Sequence, residues 1–202
     1  MARSNSLLSR KELASKERVL FFPTCYLPSI AMFYDILLAV DKGIYALDRE
    51  EIFAKQTFRN RTYILSSQGL QMLTVPVVKK TGQKIKDVRI FNEIHWKQNH
   101  WRSLETCYNN SPFFMHYSDE IKRIYDRNFV FLLDLNEEML DFLFNKIRLK
   151  KCNEMSQFEN DNSVAYATTF DYNDISPKKI SVIDLLFNTG NEANKYFSRC
   201  QN

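Results

Sequence analysis

A strand–turn–helix–strand pattern near the N-terminus limits the folds that are open to this chain. Residues 19–22 form a short apolar run that Pro23 ends, which predicts a buried strand. Apolar residues recur at helical spacing over residues 30–40, and a second apolar run at 44–47 follows Gly43. A strand, a crossover helix and a second strand predict a parallel pair with a right-handed connection.

The middle of the chain predicts more strands and then a helical region. Apolar residues 63–65 and 70–78 flank residues 66–69, which predicts a hairpin in which Gly69 takes a positive φ. From residue 94 the spacing of apolar residues becomes helical. The fold class that we predict is therefore α/β, with a mixed sheet, an N-terminal βαβ unit and a helical C-terminal half.

Some element and domain boundaries follow less directly from the pattern. Residues 129–133 are apolar enough for either a buried strand or a helix, and Asp134 or Asn136 is expected to cap the helix that follows. Residues 1–18 are predicted to form a flexible tail and residues 19–202 a single domain. The polar residues 150–163 are the best candidate for a mobile loop or linker.

The charge of the chain argues against binding to nucleic acid. The chain has 28 Lys and Arg against 24 Asp and Glu, which gives a net charge of +4. Residues 1–18 hold five basic and two acidic residues, so residues 19–202 carry 23 − 22 = +1. A nucleic-acid-binding protein usually carries a basic face on its folded body. No run of 18 apolar residues and no secretory signal are present, so we expect a cytoplasmic protein without a membrane span.

Neither a metal nor a cofactor is predicted. The four cysteines are scattered without a CxxC motif, and only three histidines are present. With four glycines, the chain contains no GxGxxG or Walker pattern for a nucleotide cofactor. The oligomeric state cannot be predicted from these features.

The basic segment 55–61 is the strongest candidate for a binding site. Lys55, Arg59 and Arg61 place three positive charges beside the amide of Asn60. Arginine presents a planar set of donors that suits carboxylate or phosphate. The segment is therefore either an anion-binding clamp or a solvated loop that leads into a strand.

Three further features leave alternatives open. His100 lies four residues after Trp96 on a predicted helix, where it is either a general base or stacking-site donor, or a buried histidine that donates to a carbonyl. Cys25 follows the first strand and is either a nucleophile or a small packing residue. Glu51 either forms a surface ion pair with Lys55 or Arg59, or instead fixes an arginine or activates an amine.

Seven segments of this chain together resemble those of a known family. The segments are residues 22–28, 55–61, 73–77, 87–90, 100–102, 108–114 and 180–188. In this order they resemble the WbqC-like protein family, and the last segment resembles the branch found in Bacteroidetes. The resemblance implies a role near the synthesis of O-antigen and other surface polysaccharides, but it brings no catalytic assignment.

The clamp and the resemblance together give a specific hypothesis. They indicate a transferase that acts on a nucleotide-linked amino sugar by glycyl or aminoacyl transfer, with a small anionic metabolite as its partner. The residues with expected roles are Lys55, Arg59, Asn60 and Arg61 for binding the anion, Tyr26 and Trp96 for stacking on base or sugar, and His100 as catalytic base. The alternatives are a non-catalytic binding or scaffold protein and a nucleotidyltransferase-like enzyme, whose HxGH-type motif is missing.

Overall fold

Short strands and helices follow one another along the chain. The computed structural model describes residues 19–78, 80–147, 176 and 178–199. The strands are β1 (Leu20–Phe22), β2 (Tyr45–Leu47), β3 (Arg61–Ser66), β4 (Gly69–Thr74), β5 (Val77–Val78) and β6 (Arg89–Ile90). The α-helices are α1 (Ile30–Asp41), α2 (Trp96–Tyr108), α3 (Phe114–Asp126), α4 (Leu132–Lys146), α5 (Val182–Thr189) and α6 (Ala193–Arg199). The predicted α/β class is confirmed.

The N-terminal βαβ unit is present as predicted. β1 and β2 pair in parallel, with Leu20 opposite Tyr45. α1 connects them and begins after Ser29, whose side chain accepts a hydrogen bond from the backbone amide of Met32 at 3.3 Å. A serine in this position satisfies one of the amides that the first helical turn leaves without a partner.

The strands of the described ranges form three separate pairs. β3 and β4 make the predicted hairpin, and Gly69 takes a φ of 101° at its turn. β5 pairs with β6 in antiparallel orientation. Pro76 lies between β4 and β5, and its lack of an amide hydrogen helps to end the ladder there. Parallel and antiparallel pairing thus occur together, but in two-stranded pairs instead of one continuous sheet.

The apolar stretch 129–133 divides between an extended segment and a helix. Phe131 forms an isolated bridge with Arg89, and α4 begins at the next residue. The prediction that Asp134 or Asn136 caps this helix is wrong, because α4 starts before both of them. Asn136 is 1% exposed, and its amide forms hydrogen bonds inside the protein.

Helix α5, the last but one of the described chain, packs against the turn that follows β1. Residues 180–187 are all 0% exposed. Ser181 caps α5 by accepting the backbone amide of Ile183 at 3.3 Å, and the amide of Val182 donates to the carbonyl of Pro28 at 2.9 Å. The first turn and the last helices of the described chain therefore share a core.

Several sequence-based predictions fall on other parts of the chain. The predicted tail at 1–18, the polar segment at 150–163, and Cys152 and Cys200 lie outside the described residues. Over the described ranges, none of the helices combines the length and the apolar character that crossing a membrane requires. The division into a tail and a single domain stays a prediction.

Gly190 provides a test of the packing around α5. It ends the helix with a φ of 56°, and a Cβ atom there would lie 2.5 Å from the Phe113 ring. We expect Gly190→Ala to lower the free energy of unfolding by about 2–4 kcal/mol, because it adds overpacking to a strained backbone. Urea denaturation measures this loss.

Gly82→Ala is the matched control for that substitution. Gly82 has a φ of 71°, but nothing lies within 4 Å of the position of its Cβ. Its substitution therefore carries the backbone strain without the contact. Equal losses in the two variants would contradict the role that we assign to the Phe113 contact.

Candidate functional site

The turn after β1 directs the side chain of Tyr26 into the core. Leu27 has a φ of 48°, a left-handed conformation that costs a residue with a Cβ about 1–2 kcal/mol. Its carbonyl oxygen accepts the hydroxyl of Thr62 at 2.7 Å and that of Ser181 at 3.2 Å. These two donors hold the strained turn in place, and Tyr26 is 0% exposed.

The hydroxyl of Tyr26 is the centre of a buried hydrogen-bond network. It lies 2.9 Å from Nδ1 of His100 and also contacts the hydroxyl of Tyr125. The other ring nitrogen of His100, Nε2, lies 3.2 Å from the carbonyl oxygen of Thr74. Because a carbonyl only accepts, Nε2 carries the proton, and Nδ1 accepts the hydrogen bond from Tyr26. The oxygen of Tyr26 in turn accepts from Tyr125.

Burial keeps this network neutral near pH 7. Burial lowers the pKa of His100 to about 4, and the hydrogen bond to the Thr74 carbonyl offsets only part of that effect. Burial raises the pKa of Tyr26 well above its ordinary value and also raises that of Tyr125. The His100 ring is therefore neutral, and the lone pair on its Nδ1 accepts the hydrogen bond from Tyr26.

Trp96 packs against the same network. Its ring lies edge-to-face with His100 at a centroid distance of 5.2 Å, and its indole N–H donates to the side chain of Asn92 at 3.2 Å. Trp96 is 4% exposed. Trp96 and Tyr26, which we expected to stack on a base or sugar, thus lie in the core, and a ligand reaches their faces only if this core opens.

Arg59 is paired with an acid and is not among the residues that line the pocket of Lys55 and Arg61. Its guanidinium contacts the carboxylate of Glu51, in a pair whose side chains are 21% and 11% exposed. Glu51 also accepts the backbone amide of Thr24 at 3.2 Å, and the carbonyl of Arg59 accepts the amide of Asn136 at 2.8 Å. Arg59 therefore holds the basic segment against the first turn and against α4.

The other cations of the basic segment line a small pocket. Lys55, Gln56, Asn60 and Arg61 surround a volume of about 290 Å³ together with residues 74–77. Two of these lining residues are cations, and none carries a carboxylate. A concave surface with positive charge and no acid is suited to an anionic group.

This pocket contains one strained backbone conformation and two buried polar atoms without partners. Gln56 has a φ of 62°, which is uncommon for a residue other than glycine. The side-chain nitrogen of Asn60 donates to the carbonyl of Val75 at 3.0 Å, whereas its Oδ1 and the Nε of Arg61 are buried without a hydrogen-bond partner. Strained backbone and unpartnered polar atoms lower stability and often mark functional sites.

The structure divides the predicted site residues into two groups that meet at Thr74. Thr74 lines the pocket, and its carbonyl accepts the hydrogen bond from His100. The pocket group consists of Lys55, Asn60 and Arg61, and the network group consists of Tyr26, Trp96 and His100. Arg59 belongs to neither group and lies with Glu51.

The remaining candidates for chemistry are weak. Cys25 is buried, and burial together with the charge of Glu51 raises the pKa of its thiol to about 12. A thiol that stays protonated is a poor nucleophile, which favours the packing interpretation. Among the residues that the structure describes, no group of three or more His, Cys, Asp or Glu side chains is placed to hold a metal ion.

Three members of the site were not predicted in these roles. Tyr125 shares a helical face with Ile121, and this spacing indicates a core residue without showing a partner for its hydroxyl. Thr74 contributes its carbonyl, a group that every residue has, so no sequence signal marks it. Asn136 was expected to cap a helix, and only the tertiary structure brings it to Arg59.

The fold and this site define an α/β protein in which a small cationic pocket adjoins a buried tyrosine–histidine–tyrosine network. The chain belongs to the WbqC-like protein family, whose model matches residues 24–168 and so includes both groups of site residues. It is also 27% identical over 217 residues to the uncharacterised protein Rv1507c of Mycobacterium tuberculosis (strain ATCC 25618 / H37Rv), across 84% of this chain and 93% of that protein. No solved structure gives a significant match.

The buried imidazole of His100 predicts a specific dependence of stability on pH. Its pKa of about 4 in the folded state lies below the ordinary value of 6.5, so the unfolded chain takes up the proton first. The stability that neutral His100 contributes is complete above pH 6.5 and is lost as the pH falls toward 4. This loss amounts to about 3 kcal/mol.

His100→Gln isolates this contribution, because a glutamine amide can donate to the Thr74 carbonyl but does not titrate. We expect the unfolding free energy of the natural chain to fall by about 3 kcal/mol more than that of the variant between pH 7 and pH 4. Urea denaturation at a series of pH values measures the two curves. Curves that run parallel would contradict the buried, neutral state of His100.

Proposed function

We propose that this protein is a cytoplasmic transferase that binds a nucleotide-linked amino sugar and modifies it by glycyl or aminoacyl transfer in surface-polysaccharide assembly, such as that of O-antigen. The pocket of Lys55 and Arg61 would hold the phosphate groups. The observation that carries the proposal is that both cations line one pocket whose lining contains no carboxylate. Membership of the WbqC-like family supports the polysaccharide context.

The energy that this pocket offers is enough for recognition but not for tight binding. A hydrogen bond to a charged group contributes about 1.5–3 kcal/mol, so two cations supply about 3–6 kcal/mol. That range corresponds to dissociation constants from about 6 mM to about 40 μM. The base and the sugar of the ligand must supply the rest, and the amides of Gln56 and Asn60 are the groups beside the cations that can contribute.

The proposed reaction is the formation of an amide on the sugar. The amine nitrogen attacks the carbonyl carbon of an aminoacyl thioester, the carbon–sulfur bond breaks, and the released thiol keeps the proton that the amine loses. We assign the movement of this proton to His100. Because Nδ1 of His100 accepts a hydrogen bond from Tyr26, it takes up a proton only when that hydrogen bond has broken.

A second candidate function is a non-catalytic binding or scaffold protein of the same pathway. The observation that favours it is that both ring nitrogens of His100 have partners and that burial lowers the pKa of the ring to about 4. A general base works best when its pKa lies near the operating pH. In this candidate the pocket binds the same anion, and no group is transferred.

Binding to the pocket is tested by thermal unfolding during titration with UDP-glucosamine and with inorganic phosphate. We expect both to stabilise the natural chain. Lys55→Ala and Arg61→Gln should each weaken binding of the nucleotide sugar by about tenfold or more, because each removes one charge-assisted contact.

Arg123→Gln is the matched control, since Arg123 is an exposed cation on α3 that does not line the pocket. Its substitution removes one positive charge and should leave the stabilisation unchanged. No stabilisation of the natural chain by either compound, or equal losses in the three variants, would contradict the proposed pocket.

Catalysis is tested by incubating the full chain with UDP-glucosamine and a glycyl thioester of coenzyme A. Under the transferase proposal, mass spectrometry detects UDP-glucosamine that has gained one glycyl group. We expect His100→Gln to retain binding of UDP-glucosamine but to lose about a hundredfold or more of the rate. Binding without any product in the natural chain would contradict the transferase and support the second candidate.

A further inference from the structure

A second concave surface lies between α2 and α3. It has a volume of about 380 Å³, within the range of ligand sites. We call it the α2–α3 groove. The side chains that matter for its chemistry are Gln98, Trp101, Arg102 and Glu105 on α2, and Lys122 and Asp126 on α3. Their spacing places them in one stripe on each helix, so that the two stripes form the sides of the groove.

The charges along the groove do not neutralise one another as ion pairs. Arg102 and Glu105 are three residues apart, and Lys122 and Asp126 are four apart, which are spacings at which opposite charges commonly pair. Among the ion pairs formed by the described residues, none includes any of these four side chains. Lys122 instead lies over the ring of Trp101, 5.7 Å from its centroid. The polar groups of Arg102 and Glu105 are therefore available to a ligand, whereas Lys97 lies in the field of Asp126 and donates to the carbonyl of Arg127 at 2.7 Å and to the side chain of Asn128 at 3.0 Å.

The charge of the groove differs from that of the Lys55–Arg61 pocket. Lys97, Arg102 and Lys122 give three positive charges, and Glu105 and Asp126 give two negative charges, so the lining carries 3 − 2 = +1. The pocket, by contrast, contains cations and no acid. A lining with both signs of charge favours a ligand with little net charge and many hydrogen-bond donors and acceptors.

The shapes of the polar groups indicate what such a ligand presents. Gln98, Arg102, Glu105 and Asp126 each end in a planar group with two neighbouring donor or acceptor atoms. A planar group of this kind matches two adjacent hydroxyls, in the way that it matches the two oxygens of a carboxylate. A hydroxyl both donates and accepts, so it can pair with the cations, the acids and the amides alike.

Trp101 supplies an apolar surface for the same ligand. Its ring is partly buried and stacks against Phe114 at a centroid distance of 6.1 Å and an angle of 27°, which holds it in place. Lys122 is exposed and long enough to leave the ring when a ligand arrives. An aromatic ring bordered by planar polar groups suits a sugar ring, which has C–H faces and hydroxyls around its edge.

We propose that the α2–α3 groove binds a neutral, hydroxyl-rich saccharide unit. Its lining includes Tyr125, whose hydroxyl contacts Tyr26 in the buried network. Through His100 that network reaches Thr74 in the wall of the Lys55–Arg61 pocket. The saccharide site is distinct from the anion site, and its existence does not depend on the function proposed for that pocket.

Calorimetric titration of the full chain with maltose, lactose and N,N′-diacetylchitobiose tests the proposal. We expect saturable binding of at least one of these disaccharides. Trp101→Ala and Glu105→Gln should each weaken it by about tenfold, because the first removes the apolar surface and the second replaces one charged acceptor oxygen by a donor. Lys55→Ala should change it by less than about twofold, since that side chain lies in the other site.

A second variant and a fluorescence measurement support the test. Trp101→Ala removes a packed ring, so the exposed Glu105→Gln carries the test if the first variant unfolds. The chain has two tryptophans, so Trp96→Phe leaves Trp101 as the single indole, and the disaccharide should still change its fluorescence. No binding by the natural chain, unchanged affinity in Glu105→Gln, or unchanged fluorescence would overturn the proposal.

The proposal for the groove and the proposal for the Lys55–Arg61 pocket can be contradicted independently of each other. Titration of the natural chain and of Lys55→Ala with inorganic phosphate reports on the Lys55–Arg61 pocket, because only phosphate bound there is weakened by the substitution. Disaccharide binding without phosphate binding would support the saccharide site and contradict the proposed function. Phosphate binding without disaccharide binding would have the opposite meaning.

Discussion

The carbonyl oxygen of Leu27 is the acceptor on which the arrangement of the site depends. It receives one hydroxyl from β3, that of Thr62, and one from the residue that caps α5, Ser181. Two neutral hydrogen bonds contribute about 1–3 kcal/mol, which is comparable to the cost of the left-handed backbone at Leu27. The turn is therefore held by contacts from distant parts of the chain. Because Leu27 has this conformation, the neighbouring Tyr26 points into the core and meets His100 and Tyr125.

The basic segment divides its cations between structure and binding. Arg59 has an acidic partner in Glu51, which also accepts the amide of Thr24, so this pair fixes the path of the segment beside the first turn. Lys55 and Arg61 line the pocket without an acid among the lining residues. The partly buried ion pair positions the loop, so the loop does not need Lys55 and Arg61 for its own stability. These two cations therefore stay available to bind an anion.

The sequence predicted what depends on local spacing and missed what depends on tertiary contacts. The βαβ unit and the hairpin at Gly69 follow from periodicity and turn residues, and both are confirmed. The start of α4 at Leu132 was not predicted, because an apolar run is compatible with a strand or a helix. The contacts of Tyr26 with His100 and Tyr125 join residues 74 and 99 positions apart, and no spacing rule reaches that far. The binding role of segment 55–61 stays a prediction, and only the structure separates Arg59 from the pocket that Lys55 and Arg61 line.

Thr74 connects the Lys55–Arg61 pocket with the buried ring of His100, so a ligand in the pocket can influence that ring. In the free protein, burial opposes protonation of His100, since a positive ring would lack water. In the proposed function, a bound phosphate neutralises the cations and adds negative charge at the pocket, which favours the protonated ring. The pKa of His100 would then rise from about 4 toward the range in which a general base works. An imidazole that is a weak base in the free protein is thus compatible with catalysis in the complex, because the ligand supplies the charge that the resting site lacks.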